Sequence, residues 1–138
     1  MVEGSDGFYD EGRGERLDAR AAVADLAAAL DPSVPLVLTG WSFGADVALS
    51  CVESRVAAWV AIAPPLRYSD AAAVGVDPRP KLLVLAEHDE VRAPAEVEAT
   101  VAAWSATTIT VVGGASHFFV GRTETLIDHV RRFVDQVS

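Results

Sequence analysis

Three residues of this chain, in the order Ser42, Asp89, His117, carry the groups needed for nucleophilic catalysis. A serine hydroxyl is a weak nucleophile near neutral pH unless a base takes its proton. The base in turn needs a carboxylate to hold its tautomer and stabilise its charged form. The serine lies in Gly40-Trp41-Ser42-Phe43-Gly44, after the apolar run Leu36-Val37-Leu38-Thr39 and directly before a helical pattern. Gly-x-Ser-x-Gly between a strand and a helix is the setting of a nucleophile elbow. The steric reading is that strand and helix approach so closely that neither Gly40 nor Gly44 can carry a side chain, with Ser42 on a strained backbone. The hydroxyl then stands at a helix N-terminus, where the Phe43 N–H and the helix dipole can stabilise a developing oxyanion.

Each assignment has competitors. Asp89 stands beside Glu87 and Glu90, and a short acid just past a strand fits the orienting role better than either. His117 could instead cap a loop or the helix after it. His88 among three acids suggests a metal site, but consecutive residues rarely converge on one ion, so no metal is expected. His129 falls on the polar face of the last helix. Cys51 reads as a buried small hydrophobe, and Trp59 and Trp104 as core. Trp41 and Phe43 flank the nucleophile, where they line a substrate cleft or serve packing. Asp46 is most simply a favourable charge near a helix N-terminus.

The elements that must position these groups follow from periodicity. Residues 1 to 14 read as a Gly-rich loop, and Glu15 to Leu30 as a helix with Ala19, Val23, Leu26, Ala27 and Leu30 on one face, stopped by Asp31-Pro32. Val34 to Thr39 is a strand, Phe43 to about Val52 a helix, and Ala57 to Ala63 a second buried strand ended by Pro64-Pro65. Leu66 to Pro80 is a short mixed connection with room for a turn or two of helix. Lys81 to Ala86 is a third strand, Pro94 opens a helix carrying Val97, Val101 and Trp104, and Thr107 to Val112 is a β-branched fourth strand. The last helix is expected to bury Leu126, Ile127, Val130, Phe133, Val134 and Val137. Apolar strands alternating with amphipathic helices argue an α/β three-layer domain, a mostly parallel sheet of about four strands between helices. In such sheets ligands bind beyond the C-terminal strand ends, where Ser42, Asp89 and His117 all fall.

Composition bounds the rest. The 138 residues fit one domain, and 51% hydrophobic content describes a globular chain. A net charge of −9 argues against nucleic acid or an anionic membrane as partner. A lone cysteine fits a reducing cytoplasm, the N-terminus has no secretory h-region, and no run reaches the ~18–20 apolar residues of a membrane span.

Gly40-Trp41-Ser42-Phe43-Gly44, Ala86-Glu87-His88-Asp89 and Gly114-Ala115-Ser116-His117-Phe118-Phe119 together resemble the α/β-hydrolase superfamily. They are most similar to its small lidless bacterial members, the esterases and dienelactone-hydrolase-like proteins. The opening Glu3 to Glu15 resembles the loop and helix start after that family's fourth strand. The resemblance thus corresponds to the C-terminal two-thirds of a family domain, a partial fold lacking the first strands. It implies a Ser42 nucleophile, a His117 base and acid, an Asp89 carboxylate and the Phe43 N–H in the oxyanion hole. It also implies small ester or thioester hydrolysis through an acyl-enzyme, without metal or organic cofactor.

The family's second oxyanion donor comes from a loop after its third strand, and losing one donor typically slows the reaction by about 10²–10³-fold. The elbow strand would become an exposed apolar edge, for which a symmetric homodimer is the simplest cover. The short Leu66 to Pro80 connection stands where larger relatives insert a lid, and an open site suits small soluble acyl substrates. The alternative is a non-catalytic half-domain serving as a binding or assembly module, or a fragment of a longer hydrolase.

Overall fold

The computed structural model describes residues 13–67 and 71–138, with side chains from residue 18 onward. Nine elements alternate through these residues: α1 (Arg13–Ala29), β1 (Leu36–Trp41), α2 (Phe43–Ser50), β2 (Val56–Ile62), α3 (Ala72–Val76), β3 (Lys81–Ala86), α4 (Pro94–Val101), β4 (Thr107–Val112) and α5 (Thr123–Val137). The strands pair in parallel in the order β1-β2-β3-β4. Because the strands are all parallel, their C-terminal ends form one rim, and that rim carries the site.

The period-two alternation of strand side chains divides the core. Trp59 and Ala61 of β2 and Leu83 and Leu85 of β3 face the layer built from α1 to α4, together with Val23, Leu49, Val74, Val97 and Val101. Ala58, Val60, Ile62, Leu82 and Val84 face the other way, onto Phe119 and onto Leu126 and Phe133 of α5. The α/β three-layer expectation therefore holds, with β2 and β3 buried almost completely.

Several boundaries differ from the sequence reading. α1 starts at Arg13, inside the expected 1–14 loop, whose residues 1–12 lie outside the described residues. β1 runs to Trp41 rather than Thr39, because Gly40 and Trp41 still pair with Ala61 and Ile62. Ile127, expected in the core, is 45% exposed. Trp104 is half-buried beyond α4 and packs against Gly75, where a Cβ would sit 2.9 Å from its ring.

Lys81 opens β3 at the end of the sheet away from the site and is wholly buried. Its Nζ donates to the carbonyls of Asp77, Arg79 and Ser105 at 2.6, 2.8 and 2.8 Å. Burial pushes the ammonium pKa down. Beside it the Arg79 guanidinium lies 4.7 Å from the centroid of the Trp59 ring, binds Asp77 through two nitrogens, and reaches the Glu53 and Val56 carbonyls. This cluster ties the N-terminal ends of β2 and β3 to the turns around them.

The Arg79 side chain holds the Asp77 carboxyl at about 2, below the ordinary 3.8. A carboxyl depressed on folding contributes stability above its unfolded pKa and loses it as pH falls through the folded value. Asp77→Asn is therefore expected to lower the urea midpoint at pH 7. Urea titrations of parent and variant should converge as pH drops from about 4 towards about 2.

Candidate active site

Ser42 sits at φ 55, ψ −123, between the last residue of β1 and the first of α2. Such a backbone costs about 1–3 kcal/mol and persists only where its surroundings fix it. Here the Ser42 N–H donates to the Ile62 carbonyl at 2.8 Å, while its own carbonyl accepts from Ala45 at 2.9 Å and starts α2. A Cβ on Gly40 would lie 2.1 Å from the Gly44 carbonyl oxygen, so Gly40 must stay bare. Gly44 corrects the sequence reading: a Cβ there meets nothing within 4 Å among the described residues. The close approach is made by the Gly44 backbone, and its α-carbon faces the open groove between α1 and α2.

His117 brings the reactive groups together. Its Nε2 lies 2.9 Å from Ser42 Oγ, and its Nδ1 lies 2.8 Å from Asp89 Oδ2. A carboxylate can only accept, so the imidazole proton belongs on Nδ1 and Nε2 is left to accept the serine hydroxyl proton. Both His117 and the Asp89 side chain are nearly closed to solvent, at 3% and 4% exposure. The second oxygen of Asp89 accepts the Val91 and Arg92 N–H groups at 2.7 and 3.2 Å, which fixes the carboxylate plane.

The two rival acids have other partners. Glu87 accepts the Gly114 N–H at 2.7 Å and Glu90 accepts the His117 N–H at 3.3 Å, so both brace the loop that carries the histidine. His88 is largely exposed, with its Nε2 3.5 Å from Glu87. His129, read as solvated, is half-buried on α5. Among the described residues no three His, Cys, Asp or Glu side chains gather as a metal set. Cys51 is fully buried, and burial pushes its thiol pKa up.

Trp41 has a structural contact that its type did not reveal. Its Nε1 donates to the His117 carbonyl at 3.2 Å, and its ring meets Phe119 edge-on at 5.5 Å. The ring is still 38% exposed. Phe118 packs edge-on against the His117 imidazole at 4.9 Å and is 69% exposed. Asp46, read as a helix-terminus charge, is wholly buried and accepts the N–H groups of Leu66 and Arg67, both at 2.9 Å.

An apolar groove of about 430 Å3 runs beside the elbow, between Val23 and Leu26 of α1, Leu38 and Trp41 of β1, and Phe43 and Val47 of α2. A second, of about 460 Å3, lies on the α5 side and is lined by Trp41, Ile62, Leu126 and Ile127. Among the described residues no strand pairs with the outer side of β1, so the two grooves flank a free sheet edge.

No protein-family model and no curated protein sequence matches this chain. Solved structures do. An alpha-beta serine hydrolase homologue from Coxiella burnetii is 33% identical over 95% of this chain and superposes with a TM-score of 0.82. An α/β serine hydrolase without lid from Xanthomonas campestris is 28% identical over 99%, also at 0.82. An esterase from Pyrococcus furiosus shares the fold at 18% identity over 95%, with a TM-score of 0.73. The chain spans 64%, 62% and 65% of those three proteins respectively.

The elbow geometry separates the two glycines experimentally. Gly40→Ala is expected to destabilise the fold by about 3 kcal/mol or more through the forced contact with Gly44. Gly44→Ala should be neutral, or stabilising by up to about 1 kcal/mol from helix propensity. Urea unfolding of the two variants beside the parent measures both.

Proposed function

We propose that this chain, which has the fold of the α/β hydrolases it superposes on, is a serine hydrolase of small carboxylic esters or thioesters. The observation that carries this reading is the unbroken hydrogen-bonded line from Ser42 through His117 to Asp89, at 2.9 and 2.8 Å. In the proposed reaction Ser42 Oγ attacks the acyl carbon while His117 Nε2 takes its proton. Asp89 holds the Nδ1–H and stabilises the imidazolium. The tetrahedral oxyanion is received by the Phe43 N–H at the start of α2. His117 then protonates the departing alcohol or thiol, and the same base activates water against the acyl-enzyme. The reaction as proposed uses no metal or organic cofactor.

The exposed face of Trp41 is assigned to the substrate cleft, its indole N–H being committed to the His117 carbonyl. An open rim with apolar side chains suits small acyl substrates. None of the described helices is long and apolar enough to cross a membrane. A reducing cytoplasm suits the single buried thiol. The free edge of β1 is proposed to be covered by a second copy of the chain, pairing edge to edge about a two-fold axis.

Intact-mass analysis after treatment with a fluorophosphonate tests the chemistry. One label per chain, lost in Ser42→Ala, is expected. A folded chain that takes no label would overturn it, leaving the elbow as architecture in a binding or assembly module. Light scattering tests the second copy: a dimer is expected, converted to monomer by a lysine at Thr39 on the strand edge. A monodisperse monomeric parent would refute the pairing.

A further inference from the structure

Beside the site, a buried carboxylate lies outside the line of Ser42, His117 and Asp89. Asp46 lies on α2 one turn beyond Ser42, whose carbonyl accepts the Asp46 N–H at 3.3 Å. Its side chain is wholly buried, and among the described residues its two carboxylate oxygens accept backbone N–H groups of the segment after β2, Oδ1 from Leu66 and Oδ2 from Arg67. That segment is strained. Ala63 and Leu66 are held at φ 48 and φ 56, conformations that non-glycine residues adopt only when over-determined.

The same segment reaches the acid loop twice. Arg92 Nη1 donates to the Pro65 carbonyl at 2.8 Å, and Arg67 Nη2 donates to the Val91 carbonyl at 3.1 Å. Val91 and Arg92 are the residues whose N–H groups hold Asp89 Oδ1. Hydrogen bonds thus close a ring that leaves Ser42 along α2, crosses Asp46 to residues 65–67, passes to 91–92 and Asp89, and returns through His117.

We propose that Asp46 is a positioning residue: it sets the separation between the nucleophile's helix and the Asp89 loop, and so the fit of His117 between them. This rests on the serine-hydrolase reading. Both oxygens are used. An asparagine keeps one acceptor and turns an amide N–H towards the other backbone N–H, which must then move away. A displacement of about 1 Å at a catalytic group costs on the order of 10²-fold in rate.

The test compares fluorophosphonate labelling rates of the full chain, Asp46→Asn, Arg92→Gln and Lys81→Met. The last is a destabilised control altered at the opposite end of the sheet. The low-field proton resonance of the His117 Nδ1–H is recorded for each. Asp46→Asn and Arg92→Gln are expected to label about 10- to 100-fold more slowly, and to shift or broaden that resonance. Lys81→Met, though less stable in urea, should keep the parental rate and resonance while folded. A parental rate and resonance in Asp46→Asn, or equal slowing in Lys81→Met, would overturn the proposal. If Asp46→Asn does not fold, Arg92→Gln decides by the same criteria. A parent that does not label refutes the hydrolase reading instead, and the resonance alone then reports whether Asp46 positions His117.

Discussion

The carbonyl of Gly44 lies so close to Gly40 that a single methyl group on Gly40 would overlap it. Everything at the site depends on that approach. It lets α2 begin immediately after β1, holds Ser42, the residue between strand and helix, at positive φ, and so turns the Ser42 hydroxyl out at the sheet's rim. The strain is offset by the hydrogen bond to Ile62 on the neighbouring strand and by the first turn of α2. Fold and site are joined here, because the bond that extends the β1–β2 pairing past Trp41 is made by the backbone of Ser42.

Around His117 the acids divide their labour by reach. Asp89 is short and sits where the chain has just left β3, so it meets the imidazole while its other oxygen is tied into its own turn. Glu87 and Glu90 are longer and reach past the imidazole to backbone N–H groups of the opposite loop. Trp41 completes the enclosure from β1 by holding the His117 carbonyl. The histidine is thereby fixed from three strand ends at once.

The parallel sheet, the layers and the meeting of Ser42, Asp89 and His117 were legible because each rests on a local signal. Those signals are an apolar strand, a turn, and a reactive residue just after it. Asp46 was not legible, because its partners are backbone N–H groups twenty residues away and nothing in their side chains announces the contact. Lys81 hid for the opposite reason. A lysine at a strand start reads as exposed, and only the convergence of three carbonyls makes its burial possible. Gly44 was misjudged because the motif names two glycines while the geometry demands only one. Ile127 has the spacing of a core residue on α5, but it faces a groove at the sheet's free flank.

The strands also have unlike ends. At one end Lys81, Arg79 and Asp77 lash turns and strands together through buried charge. At the other, Ser42, Ala63, Leu66 and Phe119 all hold positive φ, against Ala106 alone among the described non-glycine residues at the first. Local openings draw on the weakest-held segments first, and strained rims open before riveted ends. The rim that holds the contact between Ser42 and His117 is thus expected to loosen on warming before the sheet beneath it. A preparation judged by its secondary structure alone would then look intact after the contact between Ser42 and His117 had opened.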